Sequence, residues 1–168
     1  ADVDYIVYNS TRDQVFDNRI LNADQSLRSK ELLIGDLPSD ITIYSAKTDY
    51  VHPFKNGLKM EAGLKYSKVK TDNFAGYYNV VGAVKTIDYE KTNRFQYKEN
   101  IGAAYVNLSR NIKKWGLQAG LRLERSNYSG YQFGNPQKTD SGFTKTYTNA
   151  FPTLYVSYEA NDKNSFAF

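Results

Sequence analysis

The stretch ITIYSAKTDYVHPFKNGLKMEAGLKYSKVKT, residues 41–71, decides the fold. Before its centre, Thr42, Tyr44, Ala46, Thr48 and Tyr50 alternate with Ser45, Lys47 and Asp49. After it, Leu58, Met60, Ala62, Leu64 and Tyr66 alternate with Lys59, Glu61, Gly63, Lys65 and Ser67. A period of two puts successive side chains on opposite sides of a pleated strand. Pro53 and the Asn56-Gly57 pair supply turn chemistry between the runs. The spacing predicts an antiparallel hairpin with one apolar and one charged face. Its second arm, residues 58–71, is unbroken and would reach roughly 46 Å. A strand that crosses a bilayer needs only about 9–11 residues.

Outward from this hairpin the same pattern recurs. Val3, Tyr5 and Val7 mark a first strand of about nine residues. YKENIGAAYVNLSR (97–110) is a further strand whose facing is open between Gly102, Ala104, Val106, Leu108 and the set Ile101, Ala103, Tyr105; the first set is favoured as outward. Leu117, Ala119, Leu121 and Leu123 then alternate with Gln118, Gly120, Arg122 and Glu124. Leu154, Val156 and Tyr158 alternate with Thr153, Tyr155, Ser157 and Glu159, and residues 165–168 start one strand more. Pro152 cannot donate to a ladder, so it is expected at a strand start or an irregular edge. The polar stretches 12–40, 72–96 and 129–148 read as long loops. The connections 52–57, 111–116 and 160–164 are short.

Long and short connections therefore alternate. In an up-and-down meander this collects every short turn at one end and every long loop at the other, the asymmetry of outer-membrane barrels. The sequence thus predicts an all-β antiparallel meander of about six strands plus the start of a seventh. Residues 1–168 read as one segment of a large transmembrane β-barrel. Tyr50, Phe54, Trp115 and Tyr158 stand beside the short turns, where an interfacial aromatic girdle is expected. Ala62-Gly63-Leu64-Lys65 is echoed by Ala119-Gly120-Leu121-Arg122, each just after a short turn.

Composition agrees without deciding. Hydrophobic residues make up 40% of the chain, and no stretch approaches the roughly 18 apolar residues of a membrane helix. Barrels, which alternate, give no such signal. Fifteen Tyr and nine Phe suit either a membrane interface or a sugar- or peptide-binding surface. The net charge of +4 is spread along the chain in no basic block, which speaks against nucleic acid. There is no cysteine, hence no disulfide and no thiolate metal site. The opening ADVDYIVYN lacks the charged and apolar regions of a signal peptide.

IYSAKTDYVHPFKNGLKMEAGLKYSKVKTDN, YKENIGAAYVNLSRNIKKWGLQAGLRLE and FPTLYVSYEANDKNSFAF resemble the barrel of TonB-dependent receptors of Bacteroidetes. The likeness runs from residue 41 onward, through DYVHPF, KWGLQAGLRLE and the FPT strand. It implies a bacterial outer-membrane barrel of 22 strands that contacts lipid and is energised by a TonB-type coupling protein through a plug domain outside this chain. No plug or coupling box matches within residues 1–168, and the likeness transfers no functional residue.

Candidate site residues follow from the alternation. Lys59, Glu61, Lys65, Arg122, Glu124 and Glu159 would face a barrel lumen and pair with one another. The loop aromatics Tyr77, Tyr78, Phe95, Tyr131 and Phe133 are candidates for ligand capture. Asp72, Asp88, Glu90 and Asp140 carry oxygen ligands but no calcium-loop spacing. The one histidine, His52, reads as a solvated turn residue, and no cofactor or catalytic set is indicated. The leading reading is part of a transporter for a siderophore, oligosaccharide or peptide. The alternatives are a soluble or surface β-domain that binds glycan or peptide through Tyr-rich loops, and a barrel with a structural role alone. Six strands with an uncovered apolar face leave unpaired edges. The isolated polypeptide is therefore expected to aggregate in water without detergent. A monodisperse, cooperatively unfolding monomer in light scattering and denaturant titration would contradict the barrel reading.

Overall fold

The computed structural model describes residues 1–161 and 163–168 as one antiparallel sheet. Its strands are β1 (Asp2–Ser10), β2 (Asp13–Leu21), β3 (Leu27–Asp36), β4 (Ser39–Pro53), β5 (Leu58–Val81), β6 (Val84–Ile87), β7 (Asn93–Ile112), β8 (Trp115–Phe133), β9 (Ser141–Asn161) and β10 (Asn164–Ala167). The through-path is β1-β4-β5-β7-β8-β9-β10; β2 pairs with β3, β3 also with β5, and β6 with β5. The nine-residue β1, five long strands and the four-residue β10 make up that path, and the sheet does not close on itself.

The three stretches expected as long loops are mostly strand. In residues 12–40, β1 and β2 form one arm of a hairpin, and β3 and β4 form the other. Ser10 lies opposite Ser39 and Asp13 opposite Asp36, so the register is unchanged across the gap. Arg12 and Leu37 exchange both backbone bonds between them. The interruption falls at Pro38, which has no N–H to give the ladder. The actual turn is the short segment 22–26. In residues 72–96, β5 continues to Val81, turns at Gly82 (φ 61°), and β6 folds back upon it. In residues 129–148, β8 and β9 remain paired as far as Gln132 and Ser141. Polar composition suggested loops, yet a strand that stands in water needs no apolar alternation, and Thr and Tyr favour extended backbone.

The short connections are tighter than the sequence implied. β4 runs through Pro53, so residues 54–57 make the turn, with Gly57 at φ 79°. Lys113 and Lys114 alone join β7 to β8, with Lys113 at φ 55°. The connection 160–164 reduces to the residues between Asn161 and Asn164; of its expected members, Asp162 lies outside the described residues. His52 stands within β4, not in a turn. Pro152 is inside β9, opposite Leu121, not at a strand start. It nonetheless spares the ladder to β8. Val156, two steps of the pleat away, bonds to Phe168 on the side remote from β8, so Pro152 turns its nitrogen to the same side and leaves the β8 ladder intact.

Register fixes the two faces. One row reads Tyr50, Ala62, Val106, Leu121, Pro152 across β4, β5, β7, β8 and β9. The next reads Asp49, Gly63, Tyr105, Arg122, Phe151. Gly102, Ala104, Val106 and Leu108 therefore share a face with Leu64 and Leu121. On β7 and β8 the apolar members are exposed while the polar ones between them are half-buried, as a sheet concave toward its charged side requires. Leu121 is 42% exposed, Leu64 59% and Leu154 74%. Among the described residues only Leu33 and Ala103 are buried hydrophobics, so nothing within the chain covers the apolar face.

The two faces should answer oppositely to charge. Leu121→Arg is expected to lower the stability of the intact barrel by about 2–4 kcal/mol near mid-depth. Arg122→Gln, its neighbour on the concave side, is expected to cost no more than an exposed ion pair, about 1 kcal/mol. Denaturant titration of the intact protein refolded into bilayers measures both; equal costs would mean that this strand has no lipid face.

Candidate functional site: the charged face and its aromatic cluster

Alternation along five long strands brings the charged side chains onto the concave face. Lys59 pairs with Glu61, and Arg122 holds Glu124 at 2.7 Å; both are i, i+2 neighbours on one strand. Ser126 donates to the second oxygen of Glu124 at 3.4 Å. Tyr105 donates to Asp49 across β5, and its ring lies over Gly63, where a Cβ would meet it at 2.6 Å. Gly63 is thus the opening through which a β7 side chain reaches β4. Lys65 and Glu159, on the same face by register and alternation, make no salt bridge among the described residues.

Farther along, beyond the apolar rows, the concave face becomes aromatic. Phe95 and Tyr97 of β7, Tyr128 of β8, and Phe143 and Tyr147 of β9 share it. Ring centroids are 6.3 Å apart for Tyr97–Tyr128, 6.1 Å for Tyr128–Phe143 and 5.5 Å for Tyr128–Tyr147. The last pair also joins hydroxyl to hydroxyl at 2.7 Å. Gly130 lies at the centre; a Cβ there would come within 2.6 Å of Phe143 and 2.8 Å of Phe95. The rings close over that gap, and Gly130 is buried beneath them. The hydrogen bond to Tyr147, aided by desolvation, pushes the Tyr128 hydroxyl up to about 12. Such a surface offers ring faces for stacking and hydroxyls that donate and accept.

The five loop aromatics singled out from the sequence do not form one site. Tyr77 lies over Gly35 and Phe95 over Gly130, both on the concave face. Tyr78, Tyr131 and Phe133 belong to the other. Lys85 sits 4.0 Å above the Tyr78 ring, Tyr131 and Phe133 meet edge to face at 4.8 Å, and Arg94 covers Phe133. Only Phe95 joins the cluster. Tyr97 was assigned to a strand, and Tyr128, Phe143 and Tyr147 lay beside or within the stretch read as loop. The period of two in FTKTYT, with Phe143, Lys145 and Tyr147 on one side, was the signal for the last two.

The four expected girdle aromatics stand on the apolar face at the short-turn end. Trp115 and Tyr158 are direct cross-strand partners with centroids 4.6 Å apart. Tyr50 and Phe54 flank His52, whose Nδ1 is 3.2 Å from the Tyr50 hydroxyl.

Of the acidic residues weighed in the distal stretches, Asp72, Asp88 and Asp140 are each held by a separate partner. Arg94 clasps Asp72 through two bonds of 2.9 and 2.7 Å and holds its carboxyl below the usual range. Lys91 does the same for Asp88, and Tyr131 for Asp140. No group of three metal-ligating side chains forms among the described residues. Asn135, in the β8–β9 connection, donates to the carbonyl oxygens of Tyr89 and Thr92, and Lys138 to that of Glu90. Two neighbouring distal connections are thereby laced together above the aromatic cluster.

A concave charged face, an exposed apolar face and strands of 15–24 residues define the wall of a transmembrane β-barrel. The chain belongs to the outer membrane protein β-barrel family, whose model matches residues 1–168, and its place is the bacterial outer membrane. The fold is similar to the ferric citrate transporter FecA in its unliganded form, at TM-score 0.52 and 14% identity over 95% of this chain and 23% of that one. It is similar to the ferric yersiniabactin uptake receptor FyuA from Yersinia pestis, at TM-score 0.57 and 11% identity over 96% and 24%. It is likewise similar to the siderophore receptor PiuA from Acinetobacter baumannii, at TM-score 0.52 and 12% identity over 95% and 28%. The chain spans about a quarter of the length of these structures. No curated protein matches it.

Tyr128 is expected to ionise near pH 12 in the folded protein, two units above an ordinary tyrosine. Because the folded value is raised, the stabilisation from the Tyr128–Tyr147 bond is fully present below about pH 10 and lost as pH climbs through about 12. Nuclear magnetic resonance of Cζ-labelled tyrosine in the intact protein follows the titration. Tyr147→Phe should bring the Tyr128 midpoint back toward 10.

Proposed function

We propose that residues 1–168 form part of the barrel wall of a TonB-dependent receptor that imports a nutrient too large for open pores. The observation that carries this reading is the Phe95–Tyr97–Tyr128–Phe143–Tyr147 cluster, gathered on the concave, charged face beyond the apolar rows. A solute arriving from outside would meet those rings before the charged rows at Arg122 and Lys59. Tyr and Phe faces with hydroxyl edges suit a chelator bearing aromatic rings or a sugar ring. The similar structures are a ferric citrate transporter, a ferric yersiniabactin uptake receptor and a siderophore receptor, which favours a ferric siderophore over an oligosaccharide or peptide. In the intact barrel Lys59, Glu61, Lys65, Arg122, Glu124 and Glu159 would line the lumen, and Tyr50, Phe54, Trp115 and Tyr158 would form the periplasmic girdle. The coupling protein would act through a plug that this segment helps to enclose. The role is transport and not catalysis.

Iron-starved cells that express the intact protein, offered a panel of radiolabelled ferric siderophores, test this. Uptake of at least one is expected, and it should cease when the coupling protein is deleted while surface binding remains. Tyr97→Ala with Tyr128→Ala should weaken that binding by about tenfold, since each stacked ring is worth roughly 0.5–1.5 kcal/mol. Uptake that persists without the coupling protein would refute the reading.

A further inference from the structure

A carboxylate stands within the aromatic cluster. Glu99 of β7 follows Tyr97 by two residues on the concave face and is the direct cross-strand partner of Tyr128, in a row that reads Val69, Glu99, Tyr128, Lys145. It is half-buried and makes no salt bridge among the described residues. The other half-buried carboxylates that β5, β7 and β8 bring to this face are both paired, Glu61 with Lys59 and Glu124 with Arg122. Drawing a carboxylate partly out of water costs free energy unless a cation or donors compensate. The cation in its own row, Lys145, is exposed and two strand spacings away, about 10 Å, near the distance at which salt screens a charge. The concave rows on either side hold no Lys or Arg from β4 to β9.

The groups around Glu99 suit the rest of a cation. Aromatic ring faces attract positive charge placed within about 6 Å of their centroids. Tyr97 and Tyr147 have centroids 6.3 and 5.5 Å from that of Tyr128, so a cation seated at Tyr128 can face more than one ring. The Tyr128–Tyr147 hydroxyl bond leaves phenol lone pairs free to accept. Burial and the Glu99 charge push the Tyr97 hydroxyl up, so this phenol stays protonated beside the carboxylate. We propose that this surface recognises a protonated amine on the imported solute, with the ammonium on Glu99 against the faces of Tyr97 and Tyr128 and the phenol oxygens accepting its remaining protons. Glu99 thereby sets specificity within the uptake reading above, on which this assignment rests. A ferric chelate that bears a free amine is favoured over one whose exposed groups are carboxylates.

Nuclear magnetic resonance of the intact protein in neutral detergent, with Cζ-labelled tyrosine, tests the site. The probes are 2-phenylethylamine, protonated at neutral pH, 2-phenylethanol, the same skeleton without the charge, and 3-phenylpropionate, with the opposite charge. The amine is expected to shift the Tyr97 and Tyr128 resonances and to bind about tenfold more tightly than the alcohol, as one hydrogen bond to a charged group allows. The propionate should bind most weakly. This comparison needs no variant. Glu99→Gln keeps the shape and removes the charge, and should reduce the preference for the amine to about threefold, the share left to the ring faces. An unchanged alcohol affinity in that variant shows that the cluster is intact. Lys145→Gln, which removes the like charge across Tyr128, should strengthen amine binding. Equal binding of amine and alcohol, no binding of either, tighter binding of the propionate, or a preference undiminished in Glu99→Gln would overturn the site. The probes carry no iron and need no coupling protein. Charge selection without siderophore uptake would therefore overturn the transport reading alone, and uptake with a cluster indifferent to charge would overturn this assignment alone.

Discussion

Everything in this sheet depends on its backbone ladder. A chain that crosses hydrocarbon must satisfy each N–H and C=O within itself, because no water is there to do so. With two buried hydrophobic side chains among the described residues, no packed core is available to compensate for a broken rung. The register accordingly runs without a slip from Leu58–Arg110 to Ala75–Asn93 between β5 and β7. It runs on equal terms across the Pro38 interruption. Pro38 falls at the β3–β4 break, and Pro152 turns its nitrogen to the side of β9 away from β8, so neither breaks a rung between the long strands.

A fixed register makes the faces collective properties of five or six strands. Once Leu64 faces lipid, Ala104, Leu123 and Ala150 must do so as well, and Lys65 and Glu124 must point to the concave side. That concave side economises on space. Glycines at Gly63 and Gly130 leave room for the rings of Tyr105, Phe95 and Phe143 to reach across a neighbouring strand, and around Gly130 aromatic groups of β7, β8 and β9 meet. Beyond the belt the same ladder carries the wall into water, where Asn135 and Lys138 tie adjacent hairpins together through backbone carbonyls. The aromatic cluster is held by strands, which is a stiffer support than free loops would give.

The distinction between strand and loop was where the sequence misled. The stretches 12–40, 72–96 and 129–148 are polar, Gly-containing and irregular in hydropathy, and those are loop marks in a protein whose strands must cover a core. Outside the membrane neither face needs to be apolar, so the period of two persists only in shape and β-propensity, as in FTKTYT. Tyr128, Phe143 and Tyr147 went unrecognised as a group for this reason. Tyr77, Tyr78, Phe95, Tyr131 and Phe133 were grouped although the pleat divides them between two faces.

Local chemistry alone determined the membrane-spanning part: the hairpin at residues 41–71, the alternation at Leu117–Glu124, the tight turns at Asn56-Gly57 and around Lys113, and the meander of six strands and a start. Each follows from side-chain period and turn preference, which act between residues near in sequence. Tertiary structure alone decided which distant residues share a row. The opposition of Lys70 to Lys98, separated by 27 intervening residues, and the meeting of Tyr128 with Tyr147 are set by cross-strand register. A shift of one residue would send every one of those side chains to the other face. The sequence fixes the period of each strand, and only the assembled ladder fixes its phase relative to the next.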